Sequence, residues 1–348
     1  MRGAWSAIVC AVGFQRRAQG LSGPLAGLYA ALVGSALSAM LASPPAAAQG
    51  AWPQHPVRIV VPYPPGGVTD LVIRQLSPLV AERLGQPVLI DNRSGAAGVT
   101  GTVSVARAAP DGYTLLVTFD NFSNHPYLFR NAGYDAVRDF APIALLMRSP
   151  QVLIVPPRPG GPRTLAEFVD QAKARGEGRH YASAGAGSSG HLTGELFRTA
   201  TGTDLIAVHY KGGGPAINDI LGGQVDAMFT PIGLAGQHVK GGRLIALAVT
   251  SAQRSSQLPD VPAVAERYPG FEAQAWVGLL APAQTPRAVI ERLNGEINTA
   301  LARTEVRDKF AAQGYEAVGG TPESFGEWVR VEAARWGALI RSRNITLD

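Results

Sequence analysis

Residues 57–84 read VRIVVPYPPGGVTDLVIRQLSPLVAERL, and this stretch decides the class of fold. An apolar, β-branched run, Val57–Pro62, comes first, then a Pro/Gly turn, then apolar residues at helical spacing from Thr69 to Leu84. Pro64 and Pro65 fix the turn, and Gly66-Gly67 permit backbone positions that a side chain would block. Pro78 falls inside the helix, where it removes a backbone hydrogen bond. A strand passing through a tight turn into a helix is the unit of a parallel sheet covered on both faces.

The unit recurs along the chain. Further strands are expected at Val88–Asp91, Thr114–Thr118, Val152–Pro156, Leu205–His209, Val225–Phe229 and Leu244–Thr250. Further helices are expected at Leu165–Arg175, His191–Ala200, Pro215–Leu221, Arg287–Ala302, Glu305–Gln313 and Pro322–Arg341. The stretch Pro156-Pro157-Arg158-Pro159-Gly160-Gly161 marks an exit from one α/β unit into a second, and Leu244–Thr250 offers a return. Two lobes are expected: residues 49–150 with 243–348, and residues 151–242.

The first 48 residues differ in kind. Arg2, Arg16 and Arg17 occur with no acid, then an apolar stretch Leu21–Leu41, then Ser-Pro-Pro-Ala-Ala-Ala-Gln. That order is a secretory signal peptide with cleavage near Ala48 and export to the periplasm. A membrane anchor is the competing reading of Leu21–Leu41, but Gly and Ser interrupt it and small residues follow directly. Removing the three leader arginines lowers the formal charge from +5 to +2. No Lys/Arg stripe interleaves with aromatics, so nucleic acid is not an expected partner. The one cysteine, Cys10, sits in the leader, which leaves the exported chain without disulfides or thiol chemistry.

Three glycine-rich turns each follow a strand and precede a helix. At the first, Tyr63-Pro64-Pro65-Gly66-Gly67, free N–H groups of the coming helix favour an anion, although Asp70 is placed to take some of them. From this turn alone, a plain βα connection with a capped helix is the reading. The second, Asp91 to Gly101, has small residues suited to close helix–sheet packing, and Arg93 is read as a surface charge. The third, Ala184-Gly185-Ala186-Gly187-Ser188-Ser189-Gly190-His191, gathers N–H groups and two hydroxyls where a carboxylate or phosphate fits. It is the strongest anion-site candidate in the chain.

Other chemistry finds less support. Gly185, Gly187 and Gly190 match G-x-G-x-x-G, but no acid ends the following strand, where His209-Tyr210-Lys211 stands instead. Ser189 and His191 lie close without a G-x-S-x-G elbow, leaving a hydrolase a distant alternative. The six histidines show no metal-ligand spacing, and no acid pair stands out. No catalytic residue, metal or cofactor is expected.

Many short stretches, in one order, resemble the Bug family, the substrate-binding proteins of tripartite tricarboxylate transporters. They include Val61-Pro62-Tyr63-Pro64-Pro65-Gly66-Gly67 with Asp70, Asp111-Gly112-Tyr113-Thr114-Leu115-Leu116, and Asp139-Phe140-Ala141-Pro142-Ile143. Gly187-Ser188 with His191-Leu192, Leu221-Gly222-Gly223-Gln224-Val225-Asp226, and Pro259-Asp260-Val261-Pro262 continue the series. The resemblance implies a periplasmic binding protein-like type II fold, two α/β lobes around a ligand cleft. It implies capture of a small carboxylate, organic or aromatic, for membrane transporter subunits, by a protein that is not an enzyme and acts as a monomer. A periplasmic sensor would use the same residues. The implied ligand-binding positions are Tyr63 to Gly67, Ala184 to Ser189 and His191. Thr118, Phe119 and Asn121 of the loop Thr118-Phe119-Asp120-Asn121, and Thr230 after Met228-Phe229, complete the wall.

Two departures from the family pattern concern the ligand. Thr118-Phe119-Asp120 replaces a small pair, making the wall bulkier. Thr230 stands where the family commonly has an acid suited to a ligand amino group, which favours plain or aromatic carboxylates over amino acids.

Overall fold

The computed structural model describes residues 52–174, 178–210 and 212–347. The expected leader, residues 1–48, lies outside them, as do Arg175 and Lys211. No helix among the described residues is long and apolar enough to cross a membrane.

The opening stretch forms β1 (Val57–Val61) and α1 (Val68–Leu84), a helix that continues across Pro78. Val72, Ile73, Leu76 and Val80 of α1 are buried, the single apolar face that a sheet-covering helix requires. β2 (Val88–Asn92) leads into α2 (Val99–Ala106) and β3 (Thr114–Phe119). β2 and β3 flank β1 in parallel, with Ile59 opposite both Ile90 and Leu115. A Cβ on Gly101 of α2 would lie 2.7 Å from the Arg93 carbonyl oxygen, so the small residues of the second turn do bring the helix close. Arg93 bonds Asp91 at the surface at 2.9 Å.

After the short α3 (His125–Leu128) comes β4 (Phe140–Val155), a strand of 16 residues that belongs to two half-sheets. α4 (Leu165–Ala174), β5 (Arg179–Ser183), α5 (Ser189–Thr201) and β6 (Leu205–His209) follow. Then come α6 (Gly213–Leu221), β7 (Ala227–Pro231), α7 (Ile232–Lys240) and β8 (Ile245–Val249). β5 pairs in parallel with β6 and β7, while β7 and β8 pair antiparallel with the Gln151–Val155 end of β4. The chain returns to β3 through β9 (Gln274–Pro282), antiparallel to β3 on one side and to Phe140–Pro150 of β4 on the other. α8 (Arg287–Leu301), α9 (Thr304–Ala312), β10 (Glu316–Gly319) and α10 (Pro322–Ser342) close the chain, β10 pairing antiparallel with β4. The strand order is β2-β1-β3-β9-β4-β7-β5-β6.

The sheets are therefore mixed; the strand signals found the end of β4, Val152–Val155, and missed its first part together with β5, β9 and β10. The first part of β4 carries Pro142 and Pro150, residues that argue against a central strand. Pro142 is accommodated at a register shift before Ala144, where the ladder is already interrupted. β5 (RHYAS) and β9 (QAWVGLLAP) lack the β-branched run that marks a buried strand.

Burial follows the period of two along β4. Leu153 and Val155 pack with Phe168 and Phe197, whereas Val152 and Ile154 pack with Ile217 and Ile220 on the opposite face. The other half-sheet centres on Leu116, Trp276, Leu280 and Phe325. A smaller cluster joins Leu128, Leu192, Trp336 and Ile340, tying α10 to both α3 and α5.

Gly278 of β9 lies beneath Phe325, so a Cβ added there would come within 3 Å of three atoms of that ring. Gly278→Ala should cost about 1–3 kcal/mol in urea unfolding through overpacking, and Phe325→Leu in the same chain should recover part of the loss.

Candidate functional site

The carboxyl ends of the parallel strands, and the helices that leave them, surround a cavity of about 590 Å³. Phe119, Asp120 and Asn121 line it from the end of β3, Ser188 and Ser189 from the third turn, and Met228–Pro231 from β7. Met147 and Ser149 of β4 and Ala275 of β9 form its floor, with Gln313 and Tyr315 beside them.

Four helices begin on this wall. Val68 of α1, Ser189 of α5, Gly213 of α6 and Gly233 of α7 all line the cavity and all lie in the first turn of their helices. The leading N–H groups of a helix have no acceptor within it, and the helix dipole places positive potential there. Among the described residues no arginine or lysine lines the cavity, and Asp120 is the only acid. Positive potential on the described wall thus comes from backbone.

The third turn is organised by its own side chains. Ser188 is the N-cap of α5, its Oγ accepting from the His191 N–H at 3.4 Å. Gly187 has φ +73, and its N–H donates to His191 Nδ1 at 2.9 Å. His191 N–H and Gly187 N–H are thereby occupied, and the N–H groups of Ser189 and Gly190 are leading helix donors that these side chains do not take. A Cβ on Gly190 would lie 2.6 Å from the Phe229 carbonyl oxygen, so glycine lets α5 start this close to β7. Burial, with His209 beside it, pushes the His191 pKa down to about 4, so the ring is neutral and its Nδ1 stays an acceptor. The two imidazoles meet edge to face at 4.5 Å, and Ser183 Oγ lies 2.7 Å from His209 Nδ1. No hydrogen bond joins Ser189 to His191 among the described residues.

The first turn is built differently. The Asp70 carboxylate accepts from Gly66 N–H at 2.9 Å, Arg74 Nε at 2.9 Å and Asn92 Nδ2 at 3.0 Å. Burial opposes its ionisation, but these donors hold its pKa below the ordinary value. The chain's own carboxylate thus occupies one donor of this turn. Pro64, Pro65, Gly66 and Gly67 are exposed and stand outside the cavity lining, which this segment reaches through Val68 and Leu71. Tyr63 Oη donates to Asn121 Oδ1 and lies 3.4 Å from Thr118 Oγ1, so Tyr63 braces the wall from behind. Burial raises the pKa of its phenol.

Of the positions read from sequence, Phe119, Asn121, Ala184, Ser188, Ser189 and Thr230 line the cavity together. Gly185, Ala186, Gly187 and His191 shape the turn around it, and Thr118 is buried at the strand end. Leu71, Met147, Gly233, Leu234 and Tyr315 were not anticipated. They come from segments distant in sequence and carry no local signature.

Residues 72–345 match the family model described as tripartite tricarboxylate transporter family receptor. BugT of Bordetella pertussis is 37% identical over 302 residues, covering 85% of this chain and 91% of BugT. The R. palustris protein Rpa4515, whose structure holds adipate, superposes with TM-score 0.73 at 33% identity, over 85% of this chain and 100% of that one. MatC of Rhodopseudomonas palustris, with bound malate, gives TM-score 0.68 at 32% identity over 83% and 100%.

His191 ties acid stability to this turn. An unfolded His191 takes a proton near pH 6.5 and the folded one only near pH 4, so the unfolded state binds more protons between those values and stability falls with pH there. Its share of the loss between pH 7 and pH 5 is about 2 kcal/mol. His191→Gln should shrink the pH 7-to-5 drop in urea unfolding free energy by about that amount.

In fold and sequence alike, this chain belongs to the tripartite tricarboxylate transporter receptor family, with Bug proteins among its relatives.

Proposed function

We propose that this protein captures a small carboxylate, an organic or aromatic acid, in the periplasm and delivers it to the membrane subunits of a tripartite tricarboxylate transporter. The observation that carries this reading is the convergence of four helix N-termini on a cavity with no arginine or lysine on its described wall. The adipate and malate held by Rpa4515 and MatC support the same ligand class. Apolar lining from Leu71, Phe119, Phe229 and Leu234 suits a carbon skeleton behind the carboxylate.

In this reading the carboxylate docks on the Ser189 and Gly190 N–H groups. Two lobes, one carrying β1–β3 and the other β5–β7, then close around it on the shared strands β4 and β9. Closure expels water and strengthens those hydrogen bonds. The protein works as a monomer after removal of the leader near Ala48. Neutral donors hold the anion without a fixed counter-charge, which suits a receptor that must release its cargo.

A thermal-shift screen of dicarboxylates, tricarboxylates, aromatic acids and amino acids tests the reading, because a ligand bound only by the folded state raises the melting temperature. At least one carboxylate should raise it, and Ser188→Phe should abolish that shift while losing only about 1 kcal/mol of stability with the cap. A screen without a responding carboxylate, or an undiminished response in Ser188→Phe, would overturn it.

A further inference from the structure

An acid on the wall of an anion site needs a reason. Asp120 is 5% exposed, lines the cavity, and its Oδ1 has no hydrogen-bond partner. Thr230, 1% exposed on the β7 side of the same cavity, also has an unpartnered Oγ1. The neighbouring carboxylate, Glu332 of α10, is served by Arg335 at 2.6 Å and Trp336 Nε1 at 2.8 Å. Among the described residues Asp120 has no cation, and its support is the backbone N–H of Asn121. The hydroxyls near it are spent elsewhere: Tyr63 Oη donates to Asn121 Oδ1, and Ser123 Oγ to the Asp120 backbone carbonyl at 2.8 Å. Leaving a buried carboxyl oxygen without a donor destabilises the protein, whereas an apolar residue of similar shape there would be neutral or stabilising.

Building on the carboxylate reading above, we propose that Asp120, with Thr230 facing the same cavity, is a specificity-determining acceptor: it selects carboxylates whose carbon skeleton also carries a hydrogen-bond donor, a hydroxyl or an ammonium. The ligand's carboxylate lies on the α5 N-terminus and its donor on Asp120. A second carboxylate at this position would meet Asp120 with Glu332 behind it, two acids against one. A donor instead satisfies Oδ1 and relieves the cost of its burial. Burial, then the Glu332 carboxylate, raise the Asp120 pKa well above its ordinary value, a sign of how poorly its surroundings support its charge. Asp120 thus supplies the acid that Thr230 does not, and amino acids rejoin the candidate ligands.

The test pairs probes that differ by one donor: malate with succinate, glutamate with glutarate, and 4-hydroxybenzoate with benzoate, titrated calorimetrically into the full-length exported protein and its Asp120→Leu variant. In at least one pair the unaltered protein should bind the donor-bearing member tenfold or more tightly. In Asp120→Leu that preference should fall below threefold. The melting temperature of the empty variant should rise by about 2–4 °C, which an acid with a purely structural role would not allow. No preference in the unaltered protein, or one that survives in Asp120→Leu, would overturn the inference while leaving the carboxylate reading intact. Failure of every carboxylate to bind would overturn both.

Discussion

β4 is the element on which the rest of the molecule hangs. A strand of 16 residues, buried for most of its length, must find partners for its N–H and C=O groups on both edges. No single neighbour spans it. β9 and β10 serve Phe140–Pro150, while β7 and β8 serve Gln151–Val155. The division of partners makes two half-sheets out of one strand and aims the carboxyl ends of β3 and β7 at the space between them. A ligand crevice outside the carboxyl ends of parallel strands is the general outcome of such an arrangement.

The electrostatics follow from the same geometry. In each βα unit the helix starts where the strand ends, so the cavity collects helix N-termini with no arginine or lysine among its described lining residues. The third turn adds internal wiring: Ser188 and His191 take the N–H groups of His191 and Gly187, and leave those of Ser189 and Gly190. The first turn makes the opposite choice and satisfies itself with Asp70. Two turns that look alike in composition therefore differ in what they leave for a ligand, and the difference lies in whether a carboxylate stands in the first turn of the helix.

The opening strand–turn–helix, the three glycine-rich turns and most helices were legible because each is a local pattern of apolar period, proline and glycine. The long strand β4 was only half legible. Pro142 and Pro150 mask it locally, and a register shift with neighbours more than 100 residues away in β9 makes room for Pro142. The third turn could be read as an anion site from spacing, and Phe119 and Asn121 as wall positions from the family resemblance. Leu71 and Leu234 could not, since helical residues near a cavity look like any others until topology brings α1 and α7 together. Asp120 was in view between two recognised positions, but only three-dimensional burial shows that it lacks a donor.

The central claim is that the α5 N-terminus holds the ligand's carboxylate. A crystal structure grown with the tightest-binding carboxylate of the screen tests it most directly. The account predicts a carboxylate oxygen at hydrogen-bond distance, about 2.7–3.2 Å, from the Ser189 and Gly190 nitrogens. A ligand seated in the cleft with its carboxylate turned away from both would contradict it.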